Sequence, residues 1–153
     1  SDAEAICAIY NPHVTDTIVT FEETAISVEE MRGRITNVGA ILPWLVAERD
    51  GDILGYAYAA RFFDRSGYRF CAMSTIYMDD TAQRCGIGFS LYSALLERLR
   101  EISIHSAVGI IALPNPGSIA LHEKCGFKKV GHITEAGFKF GRWIDVGYWQ
   151  VLL

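Results

Sequence analysis

Six consecutive residues, Gln83-Arg84-Cys85-Gly86-Ile87-Gly88, carry the clearest chemical signal in the chain. They separate an apolar, β-branched run, Ser74-Thr75-Ile76-Tyr77-Met78, from a helical pattern that starts near Phe89. A strand, a glycine loop and a helix in that order leave several backbone N–H groups free at a helix N-terminus. Such groups bind phosphate without needing one cation per oxygen. A phosphorylated cofactor is the expected ligand. The spacing argues against two common alternatives. A dinucleotide fingerprint needs a third glycine where Leu91 stands, and a nucleotide P-loop needs Gly-Lys-Ser/Thr, which does not occur.

Other residue types exclude further classes. The net charge of −4 comes with no basic run, so nucleic acid and anionic membrane are not expected partners. His13, His105, His122 and His132 show no ligand spacing, and no metal is expected. Cys7, Cys71, Cys85 and Cys125 are far apart and form no C-x-x-C pair, which fits a reducing, cytoplasmic setting. Cys85 stands at the expected helix start, where a thiol pKa is lowered. No apolar run is long enough to span a bilayer, and no basic-then-apolar leader is seen.

The elements that must position these residues follow from periodicity. With 153 residues, half of them apolar, the chain is expected to be one domain, 1–153. Residues 3–10 read as a helix ending before Pro12, and residues 15–23 as a β-branched strand. Ser27-Val28-Glu29-Glu30 is a capping box that starts a helix at Val28, fraying near residues 37–39. Strands are expected at 44–49 and 53–63 around the turn Asp50-Gly51-Asp52, and at 68–78. Leu91, Leu95, Leu96 and Leu99 form one face of a helix over residues 88–102. The unbroken apolar run at 107–113 suits a buried parallel strand. Pro116 opens a helix that stops at Gly126, and strands at 127–137 and 144–152 complete a mixed α/β order with seven strands.

The glycine loop resembles the Arg/Gln-x-x-Gly-x-Gly/Ala motif of the GNAT family of N-acetyltransferases. Asn115-Pro116-Gly117-Ser118 followed by Leu121-His122-Glu123-Lys124-Cys125-Gly126-Phe127 resembles the family's second cofactor unit. Ile9-Tyr10-Asn11, residues 43–48, residues 55–59, Ser74-Thr75-Ile76-Tyr77 and residues 137–147 are similar to the phosphinothricin acetyltransferase branch, and the resemblance runs along essentially the whole chain. It implies a mostly antiparallel sheet with a splayed parallel strand pair, flanked by helices. It also implies acetyl-coenzyme A as donor, a small amine as acceptor and a homodimer.

By the same resemblance, the cofactor lies between residues 76–78 and 107–113. Ile76, Tyr77 and Met78 on one side, Asn115 and Ser118 on the other, and Arg84, Cys85, Gly86, Ile87, Gly88 and Phe89 around the pyrophosphate are the expected contacts. Arg84 can add a charge-assisted bond to phosphate, and Asn115 equally suits a helix N-cap. Phe21, Glu22, Tyr56, Arg61 and Phe62 are expected near the acceptor, Arg61 as a carboxylate partner. Trp143, Tyr148 and Trp149 suit a dimer seam or core packing alike. The branch typically carries Glu where this chain has Met73, so the usual base is missing. His122 is then the expected catalytic residue, as acid toward the coenzyme A sulfur or as an aid to amine deprotonation. A protein N-terminal or lysine acetyltransferase, and a non-catalytic acyl-coenzyme A binding module, are the alternatives.

Overall fold

The structure is a computed structural model and describes residues 2–153. The first helix, α1, spans Asp2–Asp16 and runs through Pro12 instead of stopping before it. A proline inside a helix costs about 3 kcal/mol. Burial of Val14 beyond it, in line with Ile6, Ile9 and Tyr10, offsets that cost. The strand expected at residues 15–23 is absent. Its threonines serve local side-chain bonds instead. Thr17 Oγ1 donates to His13 O at 2.8 Å, and Thr20 Oγ1 accepts from Glu22 N at 3.3 Å. Hydroxyls used this way compete with strand pairing. Asn11 pins the end of the segment by exchanging two 3.0 Å bonds with the Ile26 backbone.

The Ser27 cap forms as expected, Ser27 Oγ accepting from Glu30 N at 3.1 Å, and α2 spans Val28–Gly39; the Glu30 carboxylate bonds Arg34 at 2.6 Å. Then follow β1 (Trp44–Arg49), β2 (Asp52–Arg61), β3 (Cys71–Met78), α3 (Ile87–Glu101), β4 (Ser106–Ala112), α4 (Pro116–Lys124), β5 (Lys128–Lys139) and β6 (Arg142–Leu152). The strand expected from Tyr68 opens only at Cys71, because Ser66–Tyr68 forms a short 3-10 turn. Gly126 adopts φ +93°, the left-handed stop anticipated for α4.

Six strands form one sheet in the order β1-β2-β3-β4-β6-β5. Every neighbouring pair is antiparallel except β3–β4. Strand alternation divides the interior in two. On one face Ala57, Ala59, Ala72 and Ala107 give α3 room to seat Leu91, Leu95, Leu96 and Leu99. On the other, Tyr56 meets Ile6, Ile9, Tyr10 and Val14 of α1 and Met31 of α2. The helices thus cover both faces, and the parallel pair sits between them.

Candidate active site

The parallel pairing of β3 and β4 is short. Cys71, Ala72 and Met73 pair with Ser106, Ala107 and Val108, and the ladder then stops. Beyond that point β3 remains bonded to β2 as far as Met78, and β4 remains bonded to β6 as far as Ala112. Each strand therefore turns an unpaired backbone edge toward a wedge between them. Buried backbone groups need partners, and an amide-bearing chain entering the wedge supplies them as an added strand would. A cleft of about 40 Å³ occupies this wedge, bordered by residues 74–77, 110–112, Val19, Asn115, Ser118 and His122.

The glycine loop follows the C-terminal end of β3, the end toward which the wedge opens. After β3, Asp79 caps a short 3-10 turn by accepting from Thr81 N at 2.8 Å. Arg84 (φ 62°) and Gly86 (φ 78°) then reverse the chain into α3. Gly86 is the N-cap and contributes no side chain, so the amides of Ile87, Gly88 and Phe89 open the helix without a side-chain acceptor. The first intrahelical bond there is Ser90 N to Gly86 O, 3.1 Å. Arg84 and Cys85 are exposed beside it. Free amides, the positive end of a four-turn helix and an exposed guanidinium fit a pyrophosphate. The wedge fits the amides of pantetheine. Met78 differs from its neighbours: it packs under Gly55 and Gly88 rather than bordering the cleft.

Asn115 performs the capping role and borders the cleft as well, its Oδ1 accepting from Ser118 N at 3.1 Å. One turn on, His122 is buried. Its Nδ1 lies 2.7 Å from Ser118 O and its Nε2 lies 3.1 Å from the Tyr92 hydroxyl, which is 2.7 Å from Ser74 Oγ. Burial lowers the His122 pKa below its usual 6.5, and the Ser118 carbonyl only partly opposes this. The ring fits because residue 109 is glycine. A Cβ there would stand 2.5 Å from His122 Nε2. Ser74, Tyr92 and Gly109 were not legible as site residues; a serine among apolar strand residues, opposite a tyrosine on the leucine face of α3, was the available signal.

The residues expected near the acceptor separate into groups. Met73 occupies the last β3–β4 pair, at the apex of the wedge, on the face opposite Ser74. Phe21 rests on the backbone of Gly137 in β5. Glu22 receives Arg34 at 2.5 and 2.9 Å and also accepts from the Tyr10 hydroxyl. The Arg34 bonds hold its carboxyl below the usual range. Tyr10 Oη is 2.9 Å from Thr20 Oγ1, and the Tyr10 ring meets Tyr77 edge to face at 5.1 Å. Lys139, buried, donates to Thr20 O at 2.7 Å and fastens this segment to β5. Tyr56 and Arg61 are not brought to the cleft: Tyr56 is core, stacked near Trp44 at 5.6 Å, and Arg61 ends β2. Phe62 joins Phe63 and Tyr68 in an aromatic group before β3. Trp149 is buried, whereas Trp143 is exposed beside Phe138. Among the described residues no cluster of His, Cys, Asp and Glu suits a metal ion.

The same architecture is found in known proteins. The acetyltransferase (GNAT) domain family matches residues 1–147. The phosphinothricin N-acetyltransferase of Alcaligenes faecalis is 42% identical over 94% of this chain and 74% of that protein. The L-methionine sulfoximine/L-methionine sulfone acetyltransferase of Pseudomonas aeruginosa is 34% identical over 100% of this chain and 90% of its own. A crystal structure described as the ribosomal-protein-alanine N-acetyltransferase of Brucella melitensis superposes with TM-score 0.96 at 36% identity, covering 99% of this chain and 94% of that one. The phosphinothricin acetyltransferase of Sinorhizobium meliloti, in complex with AcCoA, gives TM-score 0.95 at 36% identity, covering 99% and 83%. The splayed strand pair, the glycine loop before α3 and these matches together place the chain in the GNAT family of acetyl-coenzyme A-dependent acetyltransferases.

Proposed function

We propose that this chain acetylates the α-amine of a small amino-acid-like acceptor of the phosphinothricin or methionine sulfoximine type. The observation that carries this is the cleft at the β3–β4 wedge, where Val19, Tyr77 and His122 border the place at which an acceptor would meet the thioester arm. The relatives named for phosphinothricin and methionine sulfoximine support the same class. In this reading the free edges of β3 and β4 take the pantetheine amides and polarise the acetyl carbonyl, and the amides of Ile87, Gly88 and Phe89 take the pyrophosphate. Ile76, Tyr77, Asn115 and Ser118 line the thioester arm. Phe21, held against Gly137, forms the acceptor wall.

His122 handles the proton. An alkylamine is mostly protonated at neutral pH, and attack requires its free form. With Met73 at the wedge apex, His122 is the one titratable imidazole bordering the cleft. Its lowered pKa keeps it neutral and able to accept. The exposed Trp143, Phe138, Val130 and Ile133 of the β5–β6 layer support a homodimer. Four unpaired cysteines support a reducing, cytoplasmic setting.

A screen of free amino acids, sulfoximines and phosphinothricin with acetyl-coenzyme A, reading released thiol, tests the assignment. Turnover with one of these classes is expected. Turnover only with an alanine-ended peptide, the alternative favoured by the Brucella structure's description, would replace the small-acceptor reading. Cofactor binding without transfer to any amine would mark a binding module.

A further inference from the structure

His122 borders the cleft, yet neither ring nitrogen is free to meet a substrate. A carbonyl oxygen only accepts, so the 2.7 Å contact to Ser118 O requires a proton on Nδ1. In the neutral ring Nε2 is then bare and accepts from the Tyr92 hydroxyl at 3.1 Å. Tyr92 has one proton, already given to His122, so in its 2.7 Å bond with Ser74 the serine donates. The whole chain is thereby oriented: Ser74 to Tyr92, Tyr92 to His122, His122 to Ser118 O. Ser74 borders the cleft, and Tyr92 is fully buried behind it. Among the described residues, burial and the Ser118 carbonyl are what act on the ring's charge. Gly109 of β4 lies beneath it, Phe127 stacks edge to face at 5.0 Å, and Ser118 is one turn back. The Cys125 thiol, itself pushed up by burial, is the further titratable group acting on Tyr92.

We propose that Ser74 and Tyr92 form a reversible proton relay through which the cleft exchanges protons with His122. This rests on the reading of His122 as the proton-handling residue. In the forward sense an N–H bond of the attacking amine breaks and an O–H bond forms on Ser74. The Ser74 proton moves to Tyr92, and the Tyr92 proton moves to Nε2, leaving an imidazolium held by Ser118 O. The donors between the ring and the cleft now point the other way, from Nε2–H through Tyr92 and Ser74, while Nδ1–H still donates to Ser118 O. On breakdown the Nε2–H bond breaks, the two hydroxyl protons shift back, and an S–H bond forms on the departing coenzyme A thiolate. Counted from the free amine, no proton is gained or lost over the cycle; an acceptor that arrives as its ammonium first gives one proton to solvent. The same three groups act first as base and then as acid, which suits a wedge whose apex holds Met73. Ser74 is the group that touches substrate, and Tyr92 is a positioning and relay residue.

The test uses the full chain carrying ¹⁵N-histidine, with steady-state kinetics on Tyr92→Phe, Ser74→Ala, His122→Gln and the double variant Tyr92→Phe/His122→Gln. Tyr92→Phe keeps the ring contacts to His122 and Phe127. The wild-type His122 signal should report the Nδ1–H tautomer. Tyr92→Phe should lower kcat about 10- to 100-fold, at the weak end of acid–base effects, with KM for acetyl-coenzyme A within about twofold of wild type. Its kcat/KM profile should move its acid limb upward, because Nε2 loses the donor that favours the neutral ring. The double variant should be no slower than His122→Gln alone, since groups acting in series are not additive. If His122→Gln is slow while Tyr92→Phe and Ser74→Ala both keep wild-type kcat, the relay is overturned and His122 acts by another route. An Nε2–H tautomer, or additive losses in the double variant, also overturns it. If His122→Gln itself keeps wild-type kcat, the underlying assignment of His122 fails. Should Tyr92→Phe not fold, Ser74→Ala decides the relay alone.

Discussion

Replacing Gly109 by alanine tests whether the His122 ring must sit where it does. The new methyl would lie 2.5 Å from Nε2 and 2.6 Å from Cδ2, against an ordinary contact distance of at least 3.4 Å. The ring must therefore retreat by about an ångström, and it cannot do so while holding both the Tyr92 bond at 3.1 Å and the Ser118 bond at 2.7 Å. Overpacking of this kind costs about 1–3 kcal/mol. In a domain of this size each kcal/mol lowers the melting temperature by about 2–4 °C. Misplacing a group at the chemistry by about 1 Å costs on the order of 100-fold in rate. Gly109→Ala is therefore expected to fold and to melt several degrees lower. Its kcat should fall by one to two orders of magnitude in a thiol-release assay, with little change in KM for acetyl-coenzyme A. Wild-type kcat in a folded Gly109→Ala protein would refute the argument that His122 needs this position.

Gly86→Val places a β-branched residue at φ 78°, a strain of about 1–2 kcal/mol. It should raise KM for acetyl-coenzyme A about tenfold while kcat at saturation holds, read from initial rates. Glu22→Gln should destabilise by no more than about 1 kcal/mol, because both ends of the Arg34 pair are about one-third exposed. Since Arg34 lowers the Glu22 pKa from 4.5, that contribution is complete above 4.5 and is lost as pH falls through the lower folded value. Urea melts of the two proteins should accordingly differ at neutral pH and converge in acid. Lys139→Met leaves Thr20 O without its 2.7 Å donor, a loss of about 1–3 kcal/mol. It should raise KM for the acceptor more than KM for acetyl-coenzyme A, because Val19 and Phe21 flank Thr20.

The glycine loop, the leucine face of α3, the Ser27 cap and the Gly126 stop were legible because each is fixed by neighbours within a few residues. The helix through Pro12 was not, since its reason is the burial of Val14 against distant elements. Residues 15–23 read as a strand by composition, yet Thr17, Thr20 and Lys139 take up backbone groups of Val19, Glu22 and Thr20. The wedge itself has no local signature: residues 74–78 look the same whether or not β4 pairs with them. Of the site, His122 was visible as a type in a motif. Its partners Ser74 and Tyr92 lie 48 and 30 positions away, and only the packing of α3 and α4 on the sheet joins them.

Three paired rungs, with the bonds of His105 N and Ser106 N to Phe70 O just before them, join the left and right halves of the sheet. Each half is otherwise a self-contained antiparallel leaf, β1-β2-β3 and β4-β6-β5. A guest that bonds to both inner borders is therefore a structural keystone as well as a reactant, and its arrival stitches the two leaves into one continuous fabric. Rigidity across the seam should rise and fall with each turnover. Amide exchange along residues 74–78 and 109–112 would then mark the state of the catalytic cycle more directly than any change in overall shape.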